Sequence, residues 1–176
     1  MKRLTAIALS GGIDSLMAAH LLKEQGHHVI GIHFLTGHEP QSPDDHQNTP
    51  RANTDTANLP LAKSQASHKL SFIADQLDIE VKIIDCSNEF KNKVVDYFIQ
   101  TYQAGKTPNP CMVCNPSIKF GTVYDFARKQ GASSLATGHY ARIKRDHTGT
   151  YHLFKGVDPK KDQSYFLALL TQKQLA

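Results

Sequence analysis

The sequence predicts an α/β fold built on an open, mostly parallel sheet with helices on both faces. Two observations support this prediction. Short apolar runs of strand length alternate with helical patterns along the chain. The first run ends in a glycine-rich turn that leads straight into a helix, which is the arrangement of a βαβ unit. Because such crossovers are right-handed and join strands of one direction, the sheet should be parallel.

The first βαβ unit lies at the N-terminus. Residues 4–9 (LTAIAL) form a continuous apolar run, which predicts a buried strand. A helix should follow and end near Gly26, because glycine is a common helix stop. Residues 29–34 (VIGIHF) predict the second strand. The apolar face of the predicted helix consists of Leu16, Met17, Ala19, Leu21 and Leu22.

The chain then becomes polar before regular patterns return. Residues 35–59 are rich in Asn, Asp, Pro and Thr, which predicts a long loop. A helix is predicted over about 61–76 and a third strand over 81–84 (VKII). A further helix is predicted over 89–102, and its inward-facing residues should be Phe90, Val94, Tyr97 and Phe98.

The next segment contains three prolines. Residues 105–116 (GKTPNPCMVCNP) are therefore predicted to belong to a loop, over 105–117, and neither to a regular helix nor to a central strand. Residues 118–130 predict a helix that stops at Gly131, and residues 134–137 (SLAT) predict a fourth strand.

These elements divide the chain into two parts. Residues 1–140 are predicted to form one α/β domain. In residues 141–176, a turn at Gly149 joins two short strands into a hairpin, over 141–144 and 151–155. A helix is predicted to begin over 164–170, and the end shortly after it suggests a truncated following region.

Net charge and the distribution of apolar residues limit the kinds of function that the sequence can have. The 176 residues carry a formal net charge of +4, a mild excess that fits an anionic partner such as a nucleotide or RNA. The sequence has no apolar stretch near the roughly 20 residues that span a bilayer, so we expect no membrane association. We find no secretory leader pattern and expect a cytoplasmic protein.

The segment Ser10-Gly11-Gly12-Ile13-Asp14-Ser15 lies where the first strand meets its helix. Glycines allow close backbone approach, and the helix N-terminus offers unpaired amides, so phosphate or pyrophosphate could bind there. Asp14 would suit such a site by holding Mg²⁺. Alternatively, Ser10 or Asp14 simply caps the helix.

The proline-rich segment holds Cys111 and Cys114 as a C-x-x-C pair. Two thiols at this spacing suggest a metal ligand pair or a redox pair in a reducing compartment. A closed zinc site would need distant ligands, because the sequence has no second C-x-x-C. The alternative is that both cysteines pack as small hydrophobic residues. Cys86 follows a strand and is predicted to be a core residue.

Two further blocks follow. Gly138 and His139 end the fourth strand, at the sheet edge where α/β proteins bind ligands. His139 could hydrogen-bond a phosphate, or could be an ordinary loop residue. In the segment KKDQS, Lys161 and its neighbours could contact a nucleic-acid backbone or form a solvated face, while Asp162 or Ser164 could cap the next helix.

Four blocks thus occur in order: SGGIDS, TPNPCMVCNPSIKFG, ATGHYARI and KGVDPKKDQSYFL. This series resembles the tRNA 2-thiouridylases (the MnmA/TrmU family), which have a PP-loop ATP pyrophosphatase domain of the adenine-nucleotide alpha-hydrolase-like fold. The resemblance extends from Ser10 to Leu167 except for the polar loop.

The resemblance implies ATP and Mg²⁺ as cofactors and tRNAs for lysine, glutamate and glutamine as substrates. The C2 oxygen of the wobble uridine would be adenylated, and sulfur would then be delivered through a cysteine from a persulfide-carrying donor protein. Cys114 and Asp14 are the implied catalytic residues, and Lys161 and Gln163 the predicted RNA contacts. The implied nucleotide-binding residues are Ser10, Gly11, Gly12, Asp14, Ser15, His33, Phe34, Gly138 and His139.

The sequence departs from the family's pattern at Cys111, where many members have Asp. The extra thiol favours persulfide–disulfide exchange or an iron–sulfur cluster held by Cys111 and Cys114. The family's second catalytic cysteine lies downstream of the KDQSYFL block and is absent from this sequence. Two alternatives remain, namely another PP-loop adenylating enzyme and a non-enzymatic nucleotide- or metal-binding module. The C-x-x-C within NPCMVCN favours sulfur transfer.

Overall fold

A computed structural model describes residues 3–39 and 70–176. Its four-stranded sheet is parallel, with the strand order β3-β2-β1-β4, and a separate antiparallel hairpin pairs β5 with β6. The predicted fold class is confirmed. The strands are β1 (Leu4–Ala8), β2 (His28–Leu35), β3 (Glu80–Asp85), β4 (Ser134–Ala136), β5 (Ala141–Arg145) and β6 (Tyr151–Lys155).

Helices connect the parallel strands. Helix α1 (Ile13–Glu24) joins β1 to β2, and helical residues 70–77 (α2) precede β3. Most of the polar loop predicted over 35–59, and the predicted helix before residue 70, lie outside the described residues. The remaining helices are α3 (Ser87–Phe90, Lys91–Val95 and Asp96–Gln103), α4 (Pro110–Cys114, Asn115–Val123 and Tyr124–Lys129) and α5 (Gln172–Leu175).

The apolar β1 lies inside the sheet, between β2 and β4, which explains its continuous hydrophobic run. Alternate residues of β1 face opposite sides. Ala6 packs with residues of α3 and α4, including Val94 and Ile118. Ile7 packs on the other face with Ala19 of α1 and with Leu70. Helices therefore cover both faces of the sheet, as predicted.

The predicted loop over 105–117 is wrong, because α4 begins at Pro110. The side chain of Asn109 caps this helix by accepting a hydrogen bond from the Met112 amide at 3.3 Å, and Pro110 suits the first helical position. Pro116 lacks an N–H, and the helix around it has π geometry. Gln174 Nε2 donates to the Pro116 carbonyl at 2.7 Å.

Two smaller predictions also need correction. Val94 is buried in α3, but Phe98 is 44% exposed and stacks on Tyr102 instead of facing the core. The predicted helix over 164–170 is a short 3₁₀ turn at Ser164–Leu167, whose end is anchored because Leu167 is buried. The predicted hairpin is confirmed with β5 extended by one residue, to Arg145.

Candidate functional site

The turn between β1 and α1 lies at the carboxyl edge of the sheet. Gly11 has a φ of +79°, a conformation that favours glycine. Gly12 begins α1 without any side-chain cap, so neither Ser10 nor Asp14 caps this helix. Gly11, Gly12 and Asp14 are exposed. The amides at the helix N-terminus can therefore be approached by an anion.

Ser15 supports this turn from below. Its side chain is buried, and its hydroxyl donates to the Gly12 carbonyl at 2.9 Å. The Ser10 amide donates to Ser15 Oγ at 3.3 Å, and the two hydroxyls are 3.2 Å apart. The Gly12 amide also reaches Ser10 Oγ, at 3.3 Å. The two serines thus fix the shape of the turn, and Ser10 presents its exposed side to solvent.

The loop after β4 packs directly on the start of α1. A Cβ atom added to Gly138 would lie 2.7 Å from both the Asp14 carbonyl carbon and the Ser15 amide nitrogen. Any side chain at this position would therefore push the two loops apart. The backbones of the SGGIDS and ATGHYARI blocks, which are more than 120 residues apart in sequence, form one surface.

Tyr140 adds a side-chain contact between the same two blocks. Its hydroxyl donates to Asp14 Oδ1 at 2.7 Å. This hydrogen bond to the carboxylate raises the pKa of Tyr140 above its ordinary value. One oxygen of the Asp14 carboxylate is therefore held in place next to the exposed N-terminus of α1.

The KDQS segment packs on the other side of Tyr140. Gln163 Oε1 accepts from the Tyr140 amide at 3.1 Å, and the Gln163 amide donates to the Tyr140 carbonyl at 2.9 Å. The Lys161 ammonium lies 5.2 Å from the centre of the Tyr140 ring. Gln163 and Lys161, predicted to contact RNA, therefore make contacts within the chain. Asp162 accepts from the amides of Gly156 and Ser164, but the N-cap of the Ser164–Leu167 turn is Gln163, so neither Asp162 nor Ser164 takes the predicted capping position.

His139 lies in the same loop and is half-buried. Its Nδ1 is 2.8 Å from the Thr137 hydroxyl. Burial, helped by the positive charge of Lys119, lowers the pKa of His139 to about 4. The ring is therefore neutral near pH 7, and if the Thr137 hydroxyl donates to Nδ1, then Nε2 carries the proton. A neutral imidazole at this edge can donate one hydrogen bond to a ligand oxygen.

His33 and Phe34 differ in their positions. His33 Nδ1 is 2.8 Å from the Leu9 carbonyl, at the base of the SGGIDS turn. Phe34, the next residue of the strand, faces the opposite side and packs against the core beneath α3 and α4. The structure thus places His33 beside the Ser10–Ser15 turn but puts Phe34 against that core.

The two cysteines of the C-x-x-C pair lie in the first turn of α4. Cys111 is exposed, whereas Cys114 is half-buried and packs against the core. Burial raises the pKa of Cys114, and the charge of Lys119 opposes this shift. Cys86 is fully buried, as predicted, and burial raises its pKa to about 12. All three thiols are free.

Within residues 3–39 and 70–176, no three His, Cys, Asp or Glu side chains converge as a metal site would require. Cys111 and Cys114 supply at most two thiolates from one helical turn. An iron–sulfur cluster held by Cys residues ordinarily has four ligands. The described residues thus do not by themselves complete the predicted cluster site.

Sequence reasoning missed three residues of this region. Lys119 acts electrostatically on both Cys114 and His139, which shows that α4 and the His139 loop lie close together. Asn115 is buried, and its Nδ2 donates to the Phe166 carbonyl at 2.9 Å, which ties α4 to the segment after KDQS. Tyr140 lies in the ATGHYARI block, but the sequence predicted no role for its side chain. No local signal identifies such partners, because each contact spans distant parts of the sequence.

The chain is similar along nearly its whole length to proteins of one family. The family described as "tRNA methyl transferase HUP domain" matches residues 3–176. A protein named tRNA-specific 2-thiouridylase MnmA from Desulfosudis oleivorans is 49% identical over 98% of this chain and 41% of its own length. A protein of the same name from Geotalea uraniireducens is 44% identical over 99% of this chain and 44% of its own length.

The chain spans less than half the length of these relatives. A solved structure of NMN synthetase from Francisella tularensis aligns with 74% of this chain and 43% of that chain, at 18% identity and a TM-score of 0.39, and is too distant to support an argument. None of the helices in the described part of the chain has the length and apolarity that a bilayer crossing requires.

Proposed function

This chain belongs to the tRNA methyl transferase HUP domain family, and from that premise we propose that it is the ATP-binding part of an enzyme that forms 2-thiouridine in tRNA. One observation carries the proposal. The loop that carries His139 packs on the start of α1 through Gly138 and Tyr140, and Lys119 of the helix that holds Cys111 and Cys114 acts electrostatically on His139. Nucleotide activation and sulfur delivery need such groups side by side.

The nucleotide would bind through its phosphates. The Gly11 amide and the Ser10 hydroxyl would donate to the β- and γ-phosphates at the positive end of α1, while the Gly12 amide holds Ser10 Oγ in position. Mg²⁺ usually binds proteins through one or two carboxylates together with substrate phosphates, so Asp14 suits it. The ion would neutralise phosphate charge when bound. Ser15 would hold the turn in shape from beneath.

The reaction would then occur in successive displacements. The C2 oxygen of the wobble uridine forms a bond to the α-phosphorus, and pyrophosphate leaves. The outer sulfur of a cysteine persulfide next attacks C2, and AMP leaves with that oxygen. A second thiolate then attacks the cysteine sulfur, which breaks the S–S bond, forms a disulfide and releases 2-thiouridine. Adenylation is needed because a carbonyl oxygen is a poor leaving group, whereas AMP is a good one. His139, as a neutral N–H donor, would hydrogen-bond a phosphate oxygen during the first step.

Cys114 is the residue that we assign to sulfur delivery. Its thiol is half-buried beside Lys119, whose charge favours the thiolate over what burial alone would allow. Cys111 is more exposed and one helical turn away, so a persulfide–disulfide exchange between the two needs little movement. The iron–sulfur alternative would require ligands from outside the described residues, and no step is assigned to it.

The partners follow from the same premise. We propose tRNAs for lysine, glutamate and glutamine as substrates and a persulfide-carrying protein as the sulfur donor, in the cytoplasm. Lys161 and Gln163 would shape the RNA-facing side of Tyr140 as well as contact RNA, since both already contact Tyr140.

The proposal is tested by product analysis. The chain is incubated with Mg·ATP and unmodified tRNA, and AMP and pyrophosphate are measured with and without the tRNA. Equal amounts of both products, formed only with tRNA, are expected. ATP binding without AMP, even after the rest of the relatives' length is supplied, would instead indicate a non-enzymatic module. AMP formation with a different acceptor would indicate another PP-loop adenylating enzyme.

A cysteine variant tests the sulfur step separately. Cys114→Ser should leave ATP binding and AMP formation intact and abolish 2-thiouridine formation in a thiolation-competent full-length protein. The matched variant Cys86→Ala removes a thiol that is buried in the core and has a pKa near 12, so it should retain thiolation. Thiolation that survives in Cys114→Ser would contradict the assignment.

A further inference from the structure

The hairpin of β5 and β6 has one face that the described structure leaves open to solvent. Residues directly opposite each other in an antiparallel pair share a face. Arg142 pairs with Phe154, and Lys144 pairs with His152. All four are exposed. We define these four residues as the basic face of the hairpin.

The other face of the hairpin packs against the C-terminal segment. Tyr151 and Leu153 are half-buried. The Tyr151 amide donates to Gln172 Oε1 at 2.9 Å, and Gln172 Nε2 donates back to the Tyr151 carbonyl at 2.8 Å. This two-bond contact holds β6 to α5. The hairpin is therefore anchored along the outer edge of β6, and the four residues of its basic face remain exposed.

Charge is concentrated in this element. The segment 141–155 contains four Lys and Arg residues and one carboxylate, Asp146, in a chain whose formal net charge is +4. Asp146 lies at the His152 end of the basic face, and among the described residues no ion pair joins it to Arg142 or Lys144. It accepts from the Thr148 hydroxyl at 2.6 Å and contacts His152 Nε2 at 2.8 Å, which lowers its pKa.

The cations of the basic face are held in position. Arg142 Nε donates to the Lys155 carbonyl at 3.0 Å, which leaves the other guanidinium N–H groups for a ligand. The Lys144 ammonium lies 5.5 Å from the centre of the Phe154 ring. Arg142 and Lys144 are two residues apart on one strand, about 6.8 Å along it, so they can meet successive phosphates of one nucleic-acid strand.

We propose that the basic face of the hairpin binds the phosphodiester backbone of the RNA substrate. The inference rests on the proposed function for the identity of the RNA. Two positioned cations beside an exposed aromatic ring are typical of backbone contact by RNA-binding surfaces. Such contacts set the position of an RNA on the protein and carry no sequence information, so this face would orient the substrate without selecting it.

The test is the salt dependence of RNA binding. A fluorescein-labelled RNA stem–loop is titrated with the chain, without ATP, at several salt concentrations, and fluorescence anisotropy gives the dissociation constant. The double variant Arg142→Gln/Lys144→Gln should reduce the slope of log K against log salt by about 2, since each lost phosphate contact removes about 1. Its affinity should fall about tenfold near 0.1 M salt.

A matched control separates this face from net charge. Arg128→Gln/Lys129→Gln removes the same residue types and charges from the exposed end of α4. This control should retain the slope of the unsubstituted chain. An unchanged slope in the hairpin variant, or an equal fall in the control, would overturn the proposal. Because all four substituted residues are exposed, circular dichroism should give all proteins the same melting temperature.

Two further outcomes distinguish the competing explanations. If poly-L-glutamate displaces the labelled RNA as effectively as unlabelled RNA of equal charge, the face binds acidic polymers in general, and the RNA proposal fails. Loss of the slope in the hairpin variant supports the inference even if no AMP is formed from ATP. The AMP measurement therefore tests the proposed function, and the salt slope tests the basic face.

Discussion

The hydroxyl of Tyr140 donates a 2.7 Å hydrogen bond to the carboxylate of Asp14, across 126 positions of sequence. This contact links the loop after β4 to the first turn of α1. Because Asp14 is exposed, its side chain would otherwise move freely. The Tyr140 contact thus orders the carboxylate that we assign to Mg²⁺ before any nucleotide arrives.

Tyr140→Phe should therefore weaken Mg·ATP binding by a factor of about 2 to 10, because ordering one side chain costs about 0.5–1.5 kcal/mol when a ligand binds. Titration calorimetry measures the change. Tyr124→Phe is the control, since it removes a hydroxyl that contacts the Ser133 carbonyl at 3.5 Å, near the other end of β4. Equal effects of both variants would contradict a specific role for Tyr140.

Gly138→Ala should disturb both stability and nucleotide binding. The new Cβ would meet backbone atoms at 2.7 Å, and backbone cannot move aside as a flexible side chain can. We expect a loss of about 1–3 kcal/mol in the free energy of unfolding, measured by urea denaturation. Gly12→Ala should cost less, because its nearest neighbour would be the Ser10 hydroxyl at 3.4 Å. The reverse ranking would contradict the close packing of the two loops.

The three thiols should react at different rates. Under native conditions, iodoacetamide should modify the exposed Cys111 first, Cys114 more slowly and Cys86 not at all, as mass spectrometry can follow. Lys119→Met should slow the reaction of Cys114 further, because it removes the charge that lowers that pKa. Lys129→Met, at the exposed end of α4, should leave the rate unchanged. A rate for Cys114 that is independent of Lys119 would disprove the coupling.

The free energy of unfolding should decrease as the pH falls through the range between the unfolded and folded pKa values of His139. Its pKa is lowered from 6.5 to about 4 in the folded chain, so between these values the unfolded chain binds the extra proton. The stability contribution of the neutral ring is therefore complete above pH 6.5 and is lost as the pH falls towards 4. Asp146 and Asp162, whose pKa values are lowered from 3.8, act only below that range.

Thermal unfolding followed by circular dichroism at a series of pH values checks this window. The melting temperature should fall between pH 6.5 and 4, and His139→Gln should make this part of the profile flatter. His147→Gln is the control, since His147 is exposed at the hairpin turn. A profile for His139→Gln that matches the unsubstituted chain would mean that other groups titrate in this range.

The strands of the central sheet were predicted well because a strand that is buried on both faces appears in the sequence as a short apolar run. β1 is apolar except for the buried Thr5, since both faces of the strand are covered, and the turn at Gly11 has the positive φ that its position requires. The hairpin was predicted equally well, from its two short strands and from Gly149 in the turn between them. These features are determined by residues that are adjacent in the sequence, so they can be predicted from it.

The start of α4 was predicted wrongly although its signal was present. Asn109 followed by Pro110 is a common helix beginning, but the prolines at 108 and 116 outweighed it. The π geometry around Pro116 accommodates a residue that a regular helix interior disfavours. The site contacts of Tyr140 and Lys119 were not predictable, because they depend on how distant loops meet after the sheet has formed.

The central claim is that the Ser10–Ser15 turn binds ATP, and titration calorimetry with Mg²⁺ tests it most directly. ATP, GTP and pyrophosphate are compared on the unsubstituted chain, on Asp14→Ala and on Asp125→Ala, an exposed aspartate of α4. We expect selective ATP binding that Asp14→Ala weakens at least about tenfold, or 1.4 kcal/mol, and that Asp125→Ala leaves unchanged. A folded chain that binds none of the three ligands, or that binds ATP equally with and without Asp14, would contradict the account.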